Sequence, residues 1–138
     1  MDYIPKYFQP YELVPKATYE RFEHSDYRIW WLFDPRVLYT ADKLRKRFGK
    51  MAVNTWYWGG PSQYRGWRPW DCEVGAEFSQ HKFGRALDLI PLETPLSAIQ
   101  DRMIDGNYDY VSCIEIGEKV TWLHFDTRNY KGLLIITL

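Results

Sequence analysis

Asp88 stands inside Ala86-Leu87-Asp88-Leu89-Ile90, a run that otherwise reads as a core strand. A carboxylate carried into such a strand is costly unless it is paired or metal-bound. The fold must therefore bring a partner to it. His81 lies seven positions earlier, a separation that suits a turn entering a strand and not a helical pair. Gly84 between them permits backbone torsions that a residue with a Cβ resists. Alternation places Gly84, Ala86 and Asp88 on one face and Arg85, Leu87 and Leu89 on the other. A second segment, Trp122-Leu123-His124-Phe125-Asp126, supplies another imidazole and a carboxylate on one face of its own strand. Two imidazoles and a carboxylate from separated segments form the ligand set of a zinc with an open fourth position. His24, the remaining histidine, has no such context and reads as structural or surface.

At 138 residues the chain suits one domain with its own core, spanning 1–138, with residues 1–34 as an aromatic arm packed on it. The formal net charge is zero, and no basic patch points to nucleic acid. Lys43 to Lys50 reads as a solvated helix face. No apolar run reaches membrane-spanning length, so no membrane insertion is expected. The N-terminus lacks the basic and apolar regions of a signal peptide, so the expectation is a protein made in the cytoplasm. Cys72 and Cys113 are expected to be reduced, and their spacing fits no thiolate zinc site. Seven Trp and eleven Tyr leave aromatic surface for lining a cleft.

Local signals order the elements. Asp34 caps a helix with Pro35 in its first turn, Val37, Leu38, Ala41, Leu44 and Phe48 follow helical spacing, and Gly49 ends it. Met51 to Trp58 reads as a strand, and Ser62 to Phe78 as a polar loop. Arg85 to Ile90 is a strand, and Pro95 to about Asp105 a helix with Leu96, Ile99 and Met103 on one side. Val111–Ile116 and Val120–Phe125 form a hairpin around Gly117-Glu118-Lys119, and Gly132–Leu138 is a last strand. The sum is α+β, a small antiparallel sheet with helices packed on one side.

Ser79, His81, Gly84, Ala86 and Asp88 match the pattern S-x-H-x-x-G-x-A-x-D, and His124 with Asp126 match a later H-x-D. Together they resemble the zinc D-alanyl-D-alanine carboxypeptidase and peptidoglycan endopeptidase family, which shares its fold with Hedgehog signalling domains. The resemblance runs from about Tyr7 to the C-terminus and is strongest from Asn54 to Asp126. It implies a Hedgehog/DD-peptidase-like fold, zinc held by His81, Asp88 and His124, and a peptidoglycan peptide as substrate. The short form is similar to stand-alone phage or prophage members, which implies action at the bacterial cell wall after release or within a phage particle, as a monomer. Gly66-Trp67-Arg68 resembles the family's Gly-aromatic-Arg triplet, which presents an arginine to substrate. Arg68 would then hold peptide negative charge, with Arg65 as the competitor in another register and Ser79 and Trp67 beside it.

One departure from the pattern matters. Many relatives carry a Glu three residues before the last histidine ligand as general base, and here Thr121 occupies that position. Glu115 is one replacement. It faces the His124 side if the hairpin turn has an even number of residues and points away if the turn is Gly117-Glu118-Lys119. Asp126 is the other, although it also suits the orientation of His124. The expected chemistry is amide hydrolysis in which one of these carboxylates takes the water proton and delivers it to the leaving amine. Two alternatives stay open: a catalytically silent zinc-binding structural or virion-associated domain of the same fold, and a plain aromatic-lined binding module. A Cys113–His124 nucleophile is the remaining chemistry, and nothing around Cys113 marks it as activated.

Overall fold

The computed structural model describes residues 1–22 and 26–138. The reading of His24 falls on the three residues outside this set. Two short helices, α1 (Pro10–Leu13) and α2 (Lys16–Arg21), and a 3-10 segment over Tyr27–Leu32 build the arm. Phe8, Leu13, Val14, Ile29 and Phe33 carry it into the same apolar core as the rest of the chain.

The main helix, α3, spans Pro35–Phe48. The Asp34 carboxylate accepts the Arg36 N–H, Pro35 occupies the first turn, and Arg45, Lys46 and Arg47 complement the negative C-terminal end. Val37, Leu38, Ala41 and Leu44 are buried. Each large apolar side chain of this kind contributes about 1.5–3 kcal/mol by leaving water. Leu44→Ala would remove one and leave a cavity, at a cost of about 2–5 kcal/mol. Helix α4 (Leu96–Asp105) buries Ile99 and Met103 in the same core.

The sheet has five strands: β1 (Met51–Ala52), β2 (Ala86–Pro91), β3 (Cys113–Ile116), β4 (Leu123–Asp126) and β5 (Leu134–Thr137), in the spatial order β1-β2-β4-β3-β5. The α+β class expected from sequence holds, with two corrections. The sheet is mixed and not wholly antiparallel, because β5 runs parallel to β3. Asp126 at the end of β4 pairs with Cys113 at the start of β3, so the returning chain begins β5 beside that same end, with Cys113 opposite Leu134. The strand expected over Met51 to Trp58 stops at Ala52. Buried Asn54 takes over there: its amide donates to the Val14 carbonyl and accepts the Arg65 N–H. Trp56–Trp58 then form a 3-10 turn. These long-range hydrogen bonds outweigh the local strand preference of the aromatic run.

Alternation along β2 and β4 divides the sheet. Leu87, Leu89, Leu123 and Phe125 enter the core with α3 and α4. Asp88, His124 and Asp126 face the opposite side, beneath the segment that runs from Arg65 to Gly84.

Candidate metal centre

Two glycines allow that covering segment to approach closely. Ser79 caps a 3-10 turn over Gln80–Phe83, its Oγ accepting the His81 N–H, and Gly84 closes the turn at φ 68°. A Cβ on Gly84 would lie 1.9 Å from the Leu32 carbonyl oxygen, so only glycine fits. Gly66 is equally constrained, since a Cβ there would lie 2.1 Å from the Leu13 carbonyl oxygen. Its own carbonyl accepts a hydrogen bond from His81 Nδ1 at 2.8 Å.

That bond sets the chemistry of His81. A carbonyl only accepts, so Nδ1 carries the proton and the Nε2 lone pair faces Asp88 Oδ2 at 3.3 Å. His124 is set the same way from the other direction. Its Nε2 donates to Asp126 Oδ2 at 2.9 Å, and its Nδ1 faces Asp88 Oδ1 at 2.8 Å and Glu115 Oε1 at 3.2 Å. Strand register brings Asp88 and His124 directly opposite. The donor atoms of His81, Asp88 and His124 all lie within 4.8 Å of one another. Without a metal, a proton on His124 Nδ1 relieves the repulsion between that lone pair and the two carboxylates it faces, and a cation bound there would take the proton's place.

The electrostatics have the same origin. Burial disfavours a charged His124, but hydrogen bonds to Asp126 and Asp88 and the charges of Asp88 and Glu115 outweigh it, pushing its pKa up to about 9. Burial also opposes the Asp88 carboxylate, yet His124 and His81 hold it well below the usual carboxylate range.

The residues therefore fit a zinc ion: two imidazole nitrogens with tautomers fixed by their other hydrogen bonds, and one carboxylate between them. A cavity of about 370 Å³ opens over this group, lined also by Arg68, Ser79, Glu115 and Trp122.

The sequence candidates separate at this point. Cys113–Asp126 and Ile114–Phe125 are the paired residues of β3 and β4, so continuing the register sets Glu115 opposite His124. The turn over residues 117–122 is even in length, the parity that turns Glu115 toward the site. Asp126 is fully buried and held by Arg128, whose Nε and Nη2 reach its two oxygens at 2.8 and 2.6 Å. Against burial, Arg128 and then His124 lower its pKa to about 2. It is a poor proton acceptor and a strong orienting group.

Arg68 reaches the site but is already engaged. Its guanidinium donates to the carbonyls of Tyr64 and Val74 and to Ser79 Oγ, and lies 3.5 Å from Asp88 Oδ2. From sequence alone its expected partner is the substrate, whereas in the fold it also clamps the covering segment. Arg65 points elsewhere, donating to the Val53 carbonyl, while its own carbonyl accepts the Asp88 N–H. Trp67 packs against the apolar core and does not line the cavity. Thr121 is exposed at the approach to β4. Cys113 is free and fully buried, and burial followed by the Asp126 charge pushes its thiol up to about 12, so it is no nucleophile.

Sequence reasoning missed the Gly66 carbonyl and Arg128. The first is a backbone contact between segments and leaves no side-chain signal. The second sits two residues after Asp126, just past the end of β4, where an arginine is within reach of that carboxylate. No family model, curated protein or solved structure matches this chain.

Proposed function

We propose that the protein is a zinc-dependent peptidase that hydrolyses an amide bond in peptidoglycan stem peptides or cross-links. The observation that carries this reading is the convergence of the inner ring nitrogens of His81 and His124 on Asp88, with Glu115 beside them and, among the described residues, in no ion pair with an arginine. When bound, zinc supplies Lewis-acid polarisation of a carbonyl and lowers the pKa of a water to about 7. Glu115 takes the proton of the attacking water and returns it to the leaving amine. Asp126 holds His124 in the ligating tautomer, and the Gly66 carbonyl does the same for His81. Arg68 keeps the covering segment in place and adds positive charge where the carbonyl oxygen gains negative charge. The substrate class rests on the resemblance of Ser79 to Asp88 and of His124 and Asp126 to the peptidoglycan peptidases.

A zinc-binding domain without turnover is the second reading. Thr121 at the usual base position favours it, as does the prior engagement of Arg68. Digestion of purified peptidoglycan, with new amino termini read by mass spectrometry, separates the two. The peptidase reading expects new termini that disappear with a chelator and return with zinc. Stoichiometric zinc with no new termini would establish the silent domain. No family-level fold is needed for either outcome, and among the described residues no helix is long and apolar enough to cross a membrane.

A further inference from the structure

A second cavity, of about 430 Å³, shares one lining residue, Arg128, with the cavity over the histidine cluster. It forms where β2 begins, β4 ends and the chain enters β3. Three arginines line it: Arg36, Arg85 and Arg128. Two are paired within the chain. Arg36 holds Asp34 through Nε and Nη2, and Arg128 holds Asp126 through the same two atoms. In each case the Nη1 edge of the fork makes no hydrogen bond among the described residues. Arg85 differs. Its guanidinium stacks over the Phe83 ring at 4.8 Å, and its Nε is buried with no hydrogen-bond partner. A buried guanidinium donor without a partner is rare in a folded protein, because the lost hydration is costly. The backbone around it is fixed, since the Arg85 carbonyl accepts the Thr127 N–H. Asp109 also lines the cavity and is exposed, so water screens its charge.

We propose that this cavity binds a carboxylate of the same peptide whose amide lies over His81, Asp88 and His124, with Arg85 as its direct partner. The guanidinium fork matches a carboxylate in shape and charge, and the Arg85 Nη groups, which make no hydrogen bond among the described residues, are its donors, while Nε lies closed off behind them. Arg128 is the shared wall, so a peptide crossing it enters both cavities. The choice of a peptide-borne carboxylate rests on the peptidase reading. The preference for an anion rests on the arginines alone.

The test is a thermodynamic cycle on binding. A synthetic stem pentapeptide with free carboxylates, and the same peptide fully amidated, are titrated calorimetrically into the zinc-loaded wild type and Arg85→Gln. Amidation should weaken binding about 10-fold or more in the wild type and far less in the variant. An equal amidation penalty in both proteins overturns the proposal. On the wild type alone, the free peptide should shift the amide resonances of Thr127 and Asn129 and the amidated peptide should not. Resonances that ignore the peptide's charge likewise overturn it, whether or not the variant folds. Inorganic phosphate that binds through Arg85, beside an equal amidation penalty, makes the cavity a free-oxyanion site and overturns the assignment to the peptide. Since binding is read, the two readings fail separately. Hydrolysis without Arg85 coupling removes the cavity's role and leaves the peptidase, whereas coupling without hydrolysis does the reverse.

Discussion

His124 sits between two carboxylates, Asp88 on one side and Asp126 on the other, and each belongs to a group of side chains close enough to hold a metal. His81, Asp88 and His124 form the first group, and Cys113, His124 and Asp126 the second. Distance alone does not distinguish them. Proton bookkeeping does. In the first group Gly66 and Asp126 each take the proton of the outer ring nitrogen, so the inner nitrogens of His81 and His124 turn lone pairs to a cation once His124 gives up its second proton. In the second group Asp126 is occupied by the Arg128 fork, His124 presents a proton, and the Cys113 thiol is held protonated by burial. On the proposed reading the first is the cation site and the second its support. The difference lies in what each ligand touches behind the site.

The comparison can be broken by substitution. The largest effect is expected from His124→Ala, which belongs to both groups and should abolish stoichiometric zinc and hydrolysis together. Zinc content at the wild-type level in this variant would remove both groups from consideration. Glu115→Gln comes next. Its shape is retained but it cannot take a proton, so turnover should fall about 10²–10⁴-fold with zinc and fold intact. Full activity in that variant, with turnover lost in Asp126→Asn at unchanged zinc content, would move the base to the supporting group. Asp126→Asn should instead weaken metal affinity by about 10–100-fold, read by competition with a chelating dye, because it loosens the orientation of His124. The smallest effect belongs to Cys113→Ala: unchanged zinc and turnover, with about 1 kcal/mol lost from stability in a denaturant titration for the small cavity it leaves.

The two groups also differ in how much of them the sequence exposes. His81, Asp88 and His124 stand out because their residue types are improbable in an apolar setting, and the strand alternation around Asp88 is a local property. The α3 helix is legible for a similar reason, with Asp34, Pro35 and Gly49 marking its ends within a few residues. The supporting contacts are not local. Whether Glu115 faces His124 depends on the parity of residues 117–122, a turn length that strand propensity does not determine. The Gly66 carbonyl meets His81 only because the covering segment packs on Leu13. Met51 to Trp58 has a strand's composition, yet Asn54 spends its amide on Val14 and Arg65, and pairing ends. The parallel β5 follows from where β4 finishes, which no residue of β5 records.

Zinc content after gel filtration, measured by elemental analysis on the wild type, His81→Ala and Cys113→Ala, tests the central assignment most directly. His81 belongs only to the first group and Cys113 only to the second. The wild type and Cys113→Ala should carry equal, stoichiometric zinc, and His81→Ala should carry none. Zinc retained in His81→Ala and lost in Cys113→Ala would place the ion in the other group and contradict the account.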